Sequence, residues 1–246
     1  MKTIHVPKVN GRYWLAILLA SVFGTNMGDL YAHESGLGIG LGLLLLVVLA
    51  ALAFVGERRD GRAHEAWYWL VIIIIRTGAT NIADYLAFRV RTPPVALGLG
   101  LVLLLAALAW RTHRAILTGP DADRRLPATD AAYWAAMLTA GVLGTVLGDD
   151  ASHAIGEGPA SICLGLLLGL ILLVTRGEVR SIFTYWGIVA VARTAGTVIG
   201  DWLAENRMFD IGLPLSTLLT GTAFVALLLI WRSRPDADLV ARGELQ

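Results

Sequence analysis

Residues 14–29 read WLAILLASVFGTNMGD, and the pattern returns three times: WLVIIIIRTGATNIAD at 69–84, WAAMLTAGVLGTVLGD at 134–149 and WGIVAVARTAGTVIGD at 186–201. A Tyr precedes each Trp (Tyr13, Tyr68, Tyr133, Tyr185), and fifteen residues separate each Trp from its Asp. Self-similarity at a fixed length marks one supersecondary unit used four times, so the repeat governs the fold.

Around these stretches the chain is strongly apolar. Of 246 residues 56% are hydrophobic, the mean hydropathy is +0.66, and apolar runs near twenty residues keep returning, which is too much hydrocarbon for a water-soluble domain. The pattern predicts an all-α, polytopic membrane bundle with eight spanning helices at about 13–31, 37–56, 67–88, 95–111, 132–150, 159–175, 184–204 and 212–231. At 1.5 Å per residue each reaches across a hydrocarbon core of about 30 Å, the shorter ones only just. The first helix belongs to the repeat and is not read as a signal peptide. The single Cys163 lies in an apolar run, which rules out an intrachain disulfide and a cysteine metal cage.

Fifteen Lys and Arg fall in the N-terminus, the loops before each Tyr-Trp and the C-terminal tail, whereas the opposite loops hold only Arg89, Arg91 and Arg207. The positive-inside rule then places both termini in the cytoplasm, with a bacterial inner membrane as the expected location. Tyr-Trp is expected at the cytoplasmic interface, where amphipathic rings are favoured.

The organisation expected is a cytoplasmic lead over 1–11, a four-helix half over 12–111, a cytoplasmic linker over 112–131, a second half over 132–231 and a cytoplasmic tail over 232–246. Repeats 1 and 3 share Gly-Thr-x-x-Gly-Asp with a His four residues on, His33 and His153. Repeats 2 and 4 share an Arg-Thr pair, Arg76-Thr77 and Arg193-Thr194. The order A-B-A′-B′ implies duplication of a four-helix half. Repeats with an even number of spans are parallel, so a pseudo-two-fold axis along the membrane normal is expected.

Each first helix carries two stripes. A small pair four apart (Gly24/Gly28, Ala79/Ala83, Gly144/Gly148, Gly196/Gly200) lets a neighbouring helix come close. One residue on, Thr25/Asp29, Thr80/Asp84, Thr145/Asp149 and Thr197/Asp201 present oxygens. Each Asp lies about 22 Å past its Trp and each Arg about 10 Å past. Ionisable groups at such depth cost several kcal/mol unless paired or hydrated, so they are expected to face the bundle interior. A layer of four Asp above Arg76 and Arg193 leaves about two negative charges, the deficit that one divalent cation or two protons would fill. Arg and Asp within one helix are about 12 Å apart, so pairing between helices is expected.

Four tandem two-helix repeats with Tyr-Trp and Thr-x-x-[Gly/Ala]-Asp resemble a bacterial integral-membrane family known as a tandem repeat of unknown function. The resemblance covers nearly the whole chain and implies the topology, with no activity, catalytic residue or substrate.

The residues themselves point to a transporter of a small cation, a divalent metal such as Mn²⁺ exchanged against protons. Asp29 with His33 and Asp149 with His153, each four apart, are the candidate metal ligands, mixed O/N donors that suit first-row metals. Asp29, Asp84, Asp149, Asp201, Arg76, Arg193 and the threonines Thr25, Thr80, Thr145 and Thr197 are the candidate transport and proton-relay groups, with Asn26 and Asn81 available to complete a shell. The expected partners are the lipid bilayer, the cation and protons, with no resident cofactor and no nucleic acid; homo-oligomerisation stays open. The competing readings are a cation channel with an Asp ring, and a scaffold in which the same residues only form ion pairs. An enzyme is not expected: a Gly-x-Gly-Asp and Pro-Ala-Leu aspartyl protease signature is missing, and no Lys lies in a span for a Schiff base.

Overall fold

The computed structural model describes residues 7–34, 36, 38–59, 65–118, 129–206 and 211–232. Residues 1–6 of the expected lead-in, and the tail from 233 on, lie outside them. Among the described residues there are eight long α-helices: α1 (Gly11–Asp29), α2 (Gly38–Arg59), α3 (Glu65–Asp84), α4 (Pro94–Thr118), α5 (Ala131–Ile155), α6 (Glu157–Thr175), α7 (Ile182–Glu205) and α8 (Gly212–Arg232). All eight are long and apolar enough to cross a membrane.

The helices begin where short polar side chains can cap them. The Asn10 side chain accepts from the Arg12 and Tyr13 amides, Asp130 from Tyr133, and Ser181 from Thr184, so α1, α5 and α7 each start a few residues before the repeat tyrosine. Pro94 opens α4, where its missing N–H costs nothing. α4 runs on to Thr118, past the end expected at 111, and the rest of that linker up to 128 lies outside the described residues. Directly after Asp29 and Asp84 the helical path widens into π-turns, Leu30–Glu34 and Tyr85–Arg89, whereas α5 and α7 pass their Asp as regular α-helix.

The first helices of the four repeats form the centre. α1 packs on α3, α3 on α5, α5 on α7 and α7 on α1, closing a ring in chain order. Each return helix lies mainly against the next repeat rather than its own: α2 on α3, α4 on α5, α6 on α7, and α8 back on α1. Polar ties fix this outer layer, with Asn26 donating to Ser216 at 2.7 Å and Ser161 to the Val198 carbonyl at 3.0 Å. Leu103, Leu166 and Leu173 on the return helices remain exposed, the apolar face a lipid-embedded bundle presents.

The small pairs make the inner contacts, as their spacing predicts. A Cβ on Gly24 would stand 2.6 Å from Arg76 Cγ, and one on Gly144 would stand 2.6 Å from Arg193 Cβ. Gly196 abuts Ser21 in the same way. Repeat 2 has Ala79 at this position, and the residue it faces is Gly141, where the other repeats carry Arg or Ser; an added Cβ there would meet Ala79 Cβ at 2.7 Å. The extra methyl on one helix is thus matched by its loss from the next.

Candidate functional site

Counting from each repeat Tyr, side chains at every fourth residue stack in layers. An ideal helix advances about 400° in four residues, so such a stripe drifts about 40° per step, and the inner helices must wind around one another to keep it central.

The lowest layer is the tyrosines. Their hydroxyls form a closed square: Tyr13 to Tyr68 at 2.7 Å, Tyr68 to Tyr133 at 2.7 Å, Tyr133 to Tyr185 at 2.8 Å and Tyr185 to Tyr13 at 2.6 Å. Each hydroxyl can donate once and accept once, so the square satisfies all four without water. This corrects the expectation that Tyr-Trp anchors the interface: the four tyrosines and Trp14 are fully buried, and Trp69 and Trp186 nearly so. Trp14 Nε1 donates to the Gly177 carbonyl at 3.1 Å, a tie from α1 to the turn after α6. Above the square, buried Ile17, Ile72, Met137 and Val189 form an apolar layer.

The next layer is Ser21, Arg76, Gly141 and Arg193. In ring order, large and small alternate, so the two arginines stand on one diagonal. They point in opposite directions. Arg76 reaches up into the threonine layer and donates to all four: Thr80 and Thr145 through Nη1 at 3.0 Å each, Thr25 and Thr197 through Nη2 at 2.5 and 2.6 Å. Thr25, Thr145 and Thr197 each donate their own proton back to the carbonyl four residues earlier, which leaves their oxygens as acceptors for the guanidinium. Arg193 instead donates to Ser21 Oγ at 3.1 Å and Met137 Sδ at 3.3 Å. Both arginines are fully buried. Burying such a charge costs several kcal/mol, and four hydrogen bonds from a charged donor, at about 1.5–3 kcal/mol each, are of a size to offset it for Arg76. The expected pairing of arginine with aspartate between helices does not form: among the described residues neither arginine hydrogen-bonds an aspartate, and the partners from other helices are hydroxyls and the Met137 thioether.

Above the threonines the bundle opens into a cavity of about 920 Å³. Asp29, Asp84, Asp149 and Asp201, one per inner helix, all line it, and the four threonines form its floor. Among the described residues no hydrogen bond is donated to any of these carboxylates. Four residues farther along each helix comes a last layer, His33, Phe88, His153 and Glu205, all at the cavity wall. The exposed His33 and His153, with Arg91 beside them, mark an open mouth. Phe88, Glu205 and Asp150 were not singled out in the sequence, and Arg91 was noted only as a loop charge, although Phe88 and Glu205 occupy the same position as the two histidines.

Each histidine directs Nδ1 at a backbone carbonyl, His33 to Asp29 at 3.2 Å and His153 to Asp149 at 2.7 Å. A carbonyl oxygen only accepts, so Nδ1 carries a proton, and in the neutral ring Nε2 is the nitrogen left as an acceptor. Among the described residues no three His, Cys, Asp or Glu side chains converge as a metal shell. Asn26 and Asn81 do not line the cavity. Asn26 holds α8, and Asn81 donates to the Gly28 carbonyl at 3.1 Å, so both serve as ties between helices.

This fold and site define a polytopic helical membrane protein built from four two-helix repeats around a polar axis. The family model of the Repeat of Unknown Function (DUF347) matches residues 12–61 and 184–234, the segments holding repeats 1 and 4. No curated protein and no solved structure matches the chain.

Proposed function

We propose that the protein is a carrier for small cations in a bacterial inner membrane, with both termini cytoplasmic and protons exchanged against the cargo. The observation that carries this reading is the meeting of four aspartates from four separate hairpins in one open cavity, with no hydrogen-bond donor to them among the described residues. Carboxylates at membrane depth are costly, and a protein that needed only packing would gain nothing from four of them. Arg76 supplies a fixed positive charge beneath the cargo site. The closed axis below the cavity, sealed by the threonine-bound guanidinium and the tyrosine square, favours a carrier over a continuously open channel. A divalent metal such as Mn²⁺, held by Asp29, His33, Asp149 and His153, is one candidate cargo, since each histidine offers Nε2.

Flux into proteoliposomes across a panel of metal and organic cations, with and without a pH gradient, tests the reading. Asp29→Asn and Asp149→Asn are expected to abolish uptake of the transported cation while leaving insertion intact. Unchanged flux in both variants would remove the carrier assignment.

A further inference from the structure

The geometry points to an aliphatic di- or polyamine as the ligand of this cavity, an inference that rests on the cation-carrier reading and narrows it to a cargo class. Size is the first argument. A divalent ion with six waters occupies about 180 Å³, taking about 30 Å³ per water, whereas the cavity holds about 920 Å³, roughly five times as much and within the range of organic-ligand pockets.

Spread is the second. A bound metal needs several ligand atoms within about 2.0–2.6 Å of one point, and among the described residues no three His, Cys, Asp or Glu side chains converge in that way. Carboxylates carried by four different helices serve separate ammonium heads better than one ion. They also lie at two levels, because Glu205 stands one turn beyond Asp201, about 6 Å along the helix. That is the scale of charges joined by a short methylene chain.

The chemistry of the walls is the third. Apart from Arg91 at the mouth and the Thr80 and Thr92 hydroxyls, which can donate as well as accept, the cavity's polar side chains offer acceptors: the carboxylates, and, in the neutral ring, His33 and His153 at Nε2 because Nδ1–H is directed at a carbonyl. They ask for a ligand rich in N–H donors. Ala83, Ala87, Phe88, Pro94 and Leu97 make one side of the cavity apolar, a surface that methylenes can cover and a hydrated metal ion cannot use.

Calorimetric titration of the full chain in nanodiscs with spermidine, and separately with Mn²⁺, tests this. Spermidine is expected to bind, with affinity falling at least tenfold in Asp84→Asn and in Asp201→Asn. Ala87→Trp, or Leu97→Trp should the first fail to fold, is expected to weaken spermidine at least tenfold by filling the apolar wall. Spermidine binding that none of these variants alters would overturn the site. If Mn²⁺ binds and crosses the membrane while spermidine does neither, the polyamine inference falls and the cation carrier stands. If no cation binds or crosses, both fall together.

Discussion

Arg76 and Arg193 occupy the same position in their repeats, yet one side chain turns toward the cavity and the other toward the tyrosines. Four threonine oxygens around one axis can surround a single guanidinium. Once Arg76 has taken them, Arg193 is left with Ser21 and Met137. Each threonine is therefore a stability residue as well as a cavity wall. Thr145→Val keeps the shape and removes one acceptor from a buried charge, and a loss of about 1–3 kcal/mol is expected. Thermal unfolding in detergent reads this directly, and an unshifted midpoint would mean that the hydroxyl contributes nothing. The tyrosine square makes a parallel prediction. Tyr133→Phe leaves the Tyr68 and Tyr185 hydroxyls each one partner short in a fully buried layer, and it too is expected to lower stability by about 1–3 kcal/mol.

At the scale of the helix, the contact between neighbouring repeats is a meeting of one small residue with the position three earlier in the next repeat. Adding a methyl at Gly144 forces it into the Arg193 stem, and Gly144→Ala is expected to destabilise by about 1–3 kcal/mol. The Ala79–Gly141 contact permits a sharper test. Gly141→Ala alone should be destabilising, and adding Ala79→Gly should recover most of the loss, since the pair then has the same total volume with the methyl on the other helix. Additive effects of the two changes would mean that these side chains do not oppose each other. The π-turns after Asp29 and Asp84 set the first half's backbone apart from the second's at these positions, and both lie at the cavity mouth. Widened turns of this kind are common beside functional sites.

At the scale of the whole molecule, α8 packing on α1 turns a linear array into a closed ring. Gly221 lies against the Phe23 ring, and a Cβ there would stand 2.8 Å from its edge. With Cys163 replaced by Ser, cysteines at 23 and 221 are expected to cross-link within one chain and leave monomer mobility on a denaturing gel. Cross-linking only between chains would show that α8 completes a neighbouring molecule instead. Closure gives each of the four inner helices a return helix on its flank.

The sequence alone determined the number of helices, the repeat, and the stripes of small residues, threonines and aspartates, because those follow from periodicity and hydrocarbon length, which are local properties. It also indicated that the ionisable residues would face inward, since lipid offers them no partner. The partner of each arginine, the inward turn of the tyrosines and the handing of each return helix to the next repeat were decided only by tertiary structure. A Tyr beside a Trp near a helix end is equally suited to a membrane interface and to a buried square, and only four such residues meeting on an axis make the buried choice favourable. Arg76 and Arg193 are likewise equivalent along the chain and become different only when they compete for one set of four oxygens.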